Sequence, residues 1–160
     1  MTSEQREAMR QRYQFRCGYC ETSEVEAGAE LTVDHFQPRS RDGVDAHDNW
    51  VYCCHACNEY KGDLWQPDSP QRILHPLHDN LAKHIVEQPD GTLVGLTQTG
   101  RFHIQRLRLN RAPLVAHRLE QRENARWQQT VERLKEEVQE LRHRMAQVEQ
   151  ALRTLRERER

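Results

Sequence analysis

The sequence has few apolar residues and no long apolar run. Hydrophobic residues occupy 36% of its 160 positions and aromatic residues only 6%. No stretch approaches the roughly 18 consecutive apolar residues that a membrane span requires, and the first residues lack the apolar segment of a secretory signal. We therefore expect a soluble, cytoplasmic protein without a membrane partner.

Cysteine and histidine are plentiful in comparison. Five cysteines and nine histidines occur in a chain whose charged residues make up 31% of the total. In a reducing compartment, clustered cysteine and histidine indicate a metal or a catalytic site before they indicate disulfides. A domain with so little apolar material gains from a metal cross-link, because its hydrophobic burial barely exceeds the chain entropy lost on folding.

The charge is distributed unevenly along the chain. The formal net charge is −1 overall, but it is −4 over residues 1–110 and +3 over residues 111–160. Because nonspecific DNA binding depends on Lys and Arg, the acidic balance of residues 1–110 predicts weak intrinsic affinity for DNA.

Local patterns predict a helix, two strands and a second helix in the first part of the chain. Thr2 and Gln5 have the spacing of a capping box for a helix that ends near the first cysteines. Residues 31–36 and 50–52 are typical of strands, and the Pro-, Gly- and Asp-containing stretch between them indicates a loop. Residues 58–65 are expected to form the second helix.

Residues 66–96 are rich in Pro and Asp. They predict a turn at residues 89–91 and a strand at 92–94, and Thr97 is placed to cap a further helix. The apolar positions assigned to that helix are Phe102, Ile104, Leu107 and Leu109.

From about residue 110 the sequence has the pattern of a coiled coil. Apolar residues alternate spacings of four and three, with charged residues on both flanks. They are Trp127, Val131, Leu134, Val138, Leu141, Met145, Val148, Leu152 and Leu155, with Asn124 at an earlier a position. In a parallel dimer, Glu137 would face Arg142 and Arg144 would face Glu149. Pairing with a second copy is expected, in parallel or antiparallel orientation; pairing with a different protein and packing on its own domain are the alternatives.

Two Cys-x-x-Cys pairs are the strongest signal in the sequence. Cys17 with Cys20 and Cys54 with Cys57 supply four thiolates, which is the ligand set of a closed structural zinc site. Cys53 is the fifth cysteine, and Cys54 is preferred to it because it keeps the two-residue gap. A thioredoxin-like redox pair is the alternative, but that motif occurs once and within a βαβ unit.

Between and beside these cysteines the sequence resembles the HNH endonuclease family. The residues that carry the resemblance are Asp34-His35, Asn49 and Cys54-x-x-Cys57-Asn58-x-x-Lys61-Gly62. The close match covers residues 17–62, and residues 96–101 and 107–111 resemble the downstream part of small bacterial HNH proteins. The resemblance implies a ββα-metal fold and hydrolysis of phosphodiester bonds in DNA.

The resemblance also implies a role for each motif residue. His35 would be the general base, Asn49 would hold the imidazole and the hairpin in place, and Asp34 with Asn58 would bind one divalent ion. Because the third motif residue is Asn58 rather than His, magnesium or manganese is expected there in preference to zinc. Asp34 and His35 are strand neighbours that point to opposite faces, so the strand must end or bulge at this point.

Several other side chains are candidates for contact with DNA or for packing. Lys61, three residues after Asn58, is expected either to contact a phosphate or to be a solvated surface lysine. Arg39 and Arg41 are expected to form a basic rim. His75, His78 and His84 are expected at the surface or in packing, and the role of Cys53 is left open.

Together these features predict an α+β protein with three parts. They are an HNH nuclease domain stapled by zinc (1–66), an accessory α/β segment (67–110) and a coiled-coil helix (111–160) through which a homodimer or another protein would assemble. The expected function is a metal-dependent DNA endonuclease, as would suit antiphage defence or a mobile element. The alternative is a noncatalytic zinc ribbon that binds nucleic acid or a partner.

Overall fold

A computed structural model of the chain describes residues 1–158, and its fold is α+β. Two compact units are present, Met1–Ala116 and a second unit that starts at His117. The helices are α1 (Ser3–Arg12), α2 (Glu24–Ala27), α3 (His55–Lys61), α4 (Gln98–Arg106) and α5 (Ala112–Arg158). The strands are β1 (Thr32–His35), β2 (Trp50–Cys53), β3 (Ile85–Glu87) and β4 (Leu93–Gly95).

Helix α1 begins with the capping box expected from the sequence. The Thr2 hydroxyl accepts from the Gln5 amide at 3.2 Å, and the Gln5 side chain accepts from the Thr2 amide at 2.8 Å. Met9, on the buried side of α1, is fully inaccessible. The helix ends at Arg12, and the chain then turns into the first cysteine pair, as predicted.

Strands β1 and β2 form an antiparallel hairpin, and α3 follows directly. The register pairs Thr32 with Cys53 and His35 with Trp50. The helix expected at residues 58–65 is displaced towards the N-terminus. Cys54 is its N-cap, so the second cysteine pair itself forms the first turn. It ends at Lys61 because Gly62 adopts a φ of 54° and a ψ of −147°, a conformation that glycine tolerates and other residues rarely adopt.

A second hairpin and α4 complete this unit. Strand β4 was expected, whereas its partner β3 was not, because a three-residue strand gives almost no periodic signal. The Thr97 hydroxyl accepts from the Gly100 amide at 3.0 Å, which confirms the cap of α4. The helix ends at Arg106, so the expected apolar positions Leu107 and Leu109 lie beyond it, although both are buried.

One hydrophobic core runs through the first unit. Met9 from α1, Trp50 from β2 and Ile104 from α4 belong to the same cluster, which reaches Leu114 in the first turns of α5. Packing therefore joins residues on both sides of the boundary expected at residue 66. The three-part division at residues 66 and 110 stays a prediction.

The long helix expected at the C-terminus is confirmed. Helix α5 contains 47 residues, and all nine residues of the apolar stripe from Trp127 to Leu155 are exposed. Residues 159 and 160 of the expected coiled-coil segment lie outside the described residues. Within residues 1–158, no helix is long and apolar enough to cross a membrane.

His103 on α4 is buried and hydrogen-bonds to the segment between α3 and β3. It is 1% exposed, and its Nδ1 accepts a hydrogen bond from the Leu74 amide at 3.0 Å. Burial lowers the pKa of His103 to about 4, because the charged imidazolium is poorly solvated there.

His103 should make the protein less stable in mild acid. Above the unfolded-state pKa of about 6.5, both states are neutral at this position and stability is complete. As the pH falls from about 6.5 to 4, the unfolded state binds the proton first, and the unfolding free energy should decrease by about 3 kcal/mol.

Urea unfolding of the wild type and of His103→Asn, at several pH values between 7 and 4, checks this expectation. Asparagine keeps an acceptor near the Nδ1 position but does not titrate, so the variant should lose less stability over this range. Equal losses in the two proteins would contradict the assignment.

Candidate metal centre and active site

Four cysteine side chains converge at one point of the first unit. The ligand atoms of Cys17, Cys20, Cys54 and Cys57 all lie within 4.8 Å of one another, and the Sγ atoms of Cys20 and Cys54 are 3.7 Å apart. The first pair lies in the loop after α1, and the second pair forms the N-terminal turn of α3. Four thiolates in this arrangement can hold one metal ion such as zinc in a closed tetrahedral site. The structure thus brings the four predicted ligands together, in a position to bind one metal ion.

Cys53 is not part of this cluster. It belongs to β2 and is completely buried, and burial raises the pKa of its thiol well above the usual value. It is therefore a small apolar core residue without thiolate character. The structure places Cys54, and not Cys53, in the cluster, as the spacing predicts.

His35, the expected general base, is held by an acidic residue of the loop between β1 and β2. Its Nε2 lies 2.6 Å from Asp45 Oδ1 and 3.2 Å from the indole nitrogen of Trp50. One ring nitrogen cannot donate to the carboxylate and accept from the indole at once, and the shorter contact to a charged group is the stronger. We assign the proton to Nε2, which leaves Nδ1 as the basic nitrogen.

Asp45 itself is fixed by Arg39, which donates to its second carboxylate oxygen. Donation from His35 and from Arg39 holds the pKa of Asp45 below its usual range. Sequence reasoning missed Asp45, because one acid among several in a polar loop carries no spacing signal.

Asn49 has a different set of partners from the one expected. Its side chain accepts from the Gln37 amide at 2.7 Å and donates to the Gln37 carbonyl at 3.1 Å and to the Val44 carbonyl at 2.9 Å. These bonds close the loop that carries Asp45. Gly43 permits the closure, since a Cβ atom there would lie 1.8 Å from the Gln37 carbonyl oxygen. Asn49 thus orders the loop, and its bonds go to the loop backbone rather than to the imidazole.

Asp34, the expected metal ligand, faces Lys61. The Lys61 ammonium is 2.9 Å from Asp34 Oδ2 and donates to the His35 carbonyl oxygen at 2.8 Å. Asp34 Oδ2 is buried and has no aligned hydrogen-bond donor, so the contact is an ion pair. Burial raises the pKa of Asp34, and the positive charge of Lys61 opposes that shift.

The position of Lys61 differs from one of the two expectations for it. Its side chain is only 1% exposed, so it is not a solvated surface lysine. A direct contact with a phosphate would require the pair with Asp34 to open.

Asn58 and the end of β1 complete the motif. Asn58 is half-buried on α3, three residues before Lys61 and on the same helix face. Strand β1 ends at His35 and is paired regularly up to that residue, without a bulge. The side chains of Asp34 and His35 consequently have different neighbours, Lys61 for the first and Asp45 for the second.

Comparison with known protein families assigns this region. The model of the HNH endonuclease family matches residues 17–64. The matched segment has the sequence of an HNH endonuclease domain. The matched residues run from the first cysteine to just beyond α3 and include every motif residue described above. No curated protein and no solved structure matches the chain.

The other candidates lie around the HNH domain in two settings. Arg39 and Arg41 occupy a short 3-10 turn of the loop that carries Asp45, and both are exposed. The histidines of the middle region make packing or turn contacts. The His75 ring is buried, and its centre lies 4.5 Å from that of the Phe36 ring and 4.1 Å from that of the His78 ring. His84 Nδ1 lies 2.7 Å from the Thr97 hydroxyl.

The adjacent cysteines 53 and 54 allow a matched test of the metal centre. We expect the purified protein to hold one zinc ion per chain, and Cys54→Ser to lose most of it and to unfold at a lower temperature, because metal binding contributes directly to folding. Cys53→Ser should keep the zinc, although its buried hydroxyl will also reduce stability.

Zinc content by elemental mass spectrometry and thermal unfolding of both variants check this expectation. Loss of zinc from Cys53→Ser with retention in Cys54→Ser would contradict the ligand assignment.

Proposed function

We propose that the HNH domain is a metal-dependent endonuclease that hydrolyses phosphodiester bonds of DNA. The observation that carries the proposal is the fixed imidazole of His35, held through Nε2 by Asp45 on a hairpin that the cysteine cluster braces. A neutral imidazole with one free nitrogen is suited to remove a proton from a water molecule near neutral pH. The family match to residues 17–64 supports a nuclease in general.

Asp34 and Asn58 would hold a magnesium or manganese ion. Two features support this fit. One oxygen of Asp34 is buried without an aligned hydrogen-bond donor. Asn58 lies on the same face of α3 as Lys61, whose side chain contacts Asp34 on β1. A carboxylate and an amide oxygen make an open site for a hard cation. The ion would neutralise charge on the phosphoryl and leaving oxygens.

Arg39 and Arg41 would contact the DNA backbone beside His35. Their loop is the one that Asn49 closes, so both guanidinium groups start from an ordered backbone. Arg39 also fixes Asp45, which in turn fixes His35. Its loss would therefore affect both DNA contact and the orientation of the base.

A noncatalytic zinc module is the second candidate function. The observation that favours it is the Lys61–Asp34 ion pair, because the ammonium already occupies the carboxylate expected to bind the catalytic ion. In that case the domain would bind nucleic acid or a partner without cleaving it.

Cleavage of supercoiled plasmid distinguishes the two functions. With added magnesium or manganese, we expect nicked or linear product from the wild type. We expect at least about a 100-fold lower rate from His35→Ala, the scale of general-base catalysis, and a strong loss from Asn58→Ala. Asp45→Asn should also slow the reaction, since the imidazole loses its anionic partner.

His55→Ala is the matched control. This histidine lies between the two cysteines of the second pair, but its side chain is 83% exposed and lies 3.3 Å from Glu59. It should cleave as the wild type does. Equal cleavage rates for the wild type and all variants, or no cleavage by any of them, would contradict the endonuclease function and favour the noncatalytic one.

We further propose that α5 pairs in parallel with α5 of a second copy. Asn124 at an a position favours this, because a buried asparagine pair specifies register in two-stranded parallel coils. The β-branched residues Val131 and Val138 at a, with leucines at d, favour two strands as well. The charge pairs of residues 137 with 142 and 144 with 149 would both attract.

The setting of this activity is also proposed. A thiolate zinc site suits the reducing cytoplasm, and a nuclease joined to an assembly helix would suit defence against foreign DNA. Targeting would then depend on the second copy or on another protein bound to α5.

Substitutions at a d position and at an outward position test the pairing. In the full chain, Leu141→Lys should halve the molecular mass measured by light scattering, because a lysine pair would be placed in the apolar seam. The variant Gln139→Lys, changed two residues away at an outward b position, should still have the mass of a dimer. A monomeric wild type, or identical masses for the two variants, would contradict the proposal.

A further inference from the structure

Residues 91–116 form the one long stretch of the first unit that is both arginine-rich and free of acids. They include Arg101, Arg106, Arg108 and Arg111 and no Asp or Glu. The formal charge of −4 over residues 1–110 hides this segment, since the surplus acids lie elsewhere.

Three of these arginines line one open groove of about 590 Å³ between β4 and α4. Arg101 lies on α4, and Arg108 and Arg111 lie in the turn between α4 and α5. Leu93 and Ile104 contribute apolar surface to the groove. The groove thus has a cationic rim above an apolar lining.

Of these four arginines, Arg101, Arg106 and Arg108 are exposed and Arg111 is half-buried. Within residues 1–158, none of them is paired with a carboxylate. The contrast with other arginines of the unit is clear, since six of them lie within 4.0 Å of an acidic side chain. These six are Arg6, Arg10, Arg12, Arg16, Arg39 and Arg72.

The groove is joined to the helix that carries the active-site motif. The guanidinium carbons of Arg108 and Arg111 lie 4.8 and 5.5 Å from the centre of the Tyr60 ring on α3. Arg111 also lies 3.9 Å from Cys57 Sγ, and Arg106 donates to the Lys61 carbonyl at 3.0 Å. These contacts fix the position of the arginines relative to Asn58.

We infer that this groove, which we call the arginine groove, binds the phosphate backbone of DNA outside the cleavage site. Unpaired arginines held at fixed positions recognise successive phosphates, and each contact releases counterions. The groove would then supply the affinity that the acidic remainder of the domain lacks. The inference rests on the proposed function for its ligand, but it concerns binding and not cleavage.

DNA binding measured without the catalytic ion tests the inference. The full chain, prepared with its zinc, is titrated into a fluorescent 30-base-pair duplex without added magnesium or chelator, and anisotropy is recorded at several salt concentrations. The double variant Arg101→Gln with Arg108→Gln should raise the Kd about 10- to 100-fold at 0.1 M salt. The double variant should also make the plot of the logarithm of the binding constant against the logarithm of the salt concentration less steep, by about two units of slope.

Two controls separate charge from structure. Lys83→Gln removes one exposed positive charge from a short 3-10 turn outside the groove and should change the Kd little. Arg108→Lys keeps the charge and should retain most of the affinity. Zinc content and unfolding temperature of every variant should match the wild type, because Arg101 and Arg108 side chains are exposed.

The outcomes distinguish this inference from the proposed function. Loss of binding in the double variant supports the groove even if no protein in the series cleaves plasmid. Unchanged affinity in the double variant, or no DNA binding by the wild type at low salt, overturns the inference.

Discussion

The convergence of four cysteine sulfurs is the constraint on which the rest of the first unit depends. It joins the loop after α1 to the first turn of α3, two segments more than 30 residues apart in sequence. Because the second pair both caps and begins α3, any ion that the thiolates hold would also fix the position of that helix. The segment from Cys20 to Cys54, which contains the hairpin, is then held at both ends, and the loop between the two strands lies at the surface.

That loop has its own internal support. Asn49 bonds to the backbone at two separated points of the loop, and Gly43 allows the chain to pass close to the Gln37 carbonyl. The ordered backbone places Asp45 against His35. His35, the general base of the proposed mechanism, is therefore positioned indirectly. Asp45 holds the imidazole, and the hydrogen bonds of Asn49 order the loop that carries Asp45. A carboxylate, an imidazole and a guanidinium form one connected chain at the edge of the site.

The placement of charge shows a division between the two sides of α3. On one side, Lys61 is buried against Asp34, so a single positive charge already neutralises the carboxylate that would hold the catalytic ion. On the other side, Tyr60 lies against two arginines that have no acidic partner among the described residues. The net charge of the first unit is therefore a poor guide to its local surface charge, because six of its arginines are paired with acids and four others share one segment without acids.

The sequence by itself determined which four cysteines cluster, the hairpin with its helix, the cap of α4 and the long terminal helix. Each of these has a local signature: a two-residue gap between thiols, a capping side chain, or a repeat of three and four. The motif residues were predicted from the family resemblance, and the structure shows which residues they contact. Only the tertiary structure decided that Lys61 is buried, that Asn49 orders a loop, that Asp45 holds His35, and that three arginines share one groove. These features arise from contacts between segments distant in the chain, and such contacts leave no periodic trace in a single sequence.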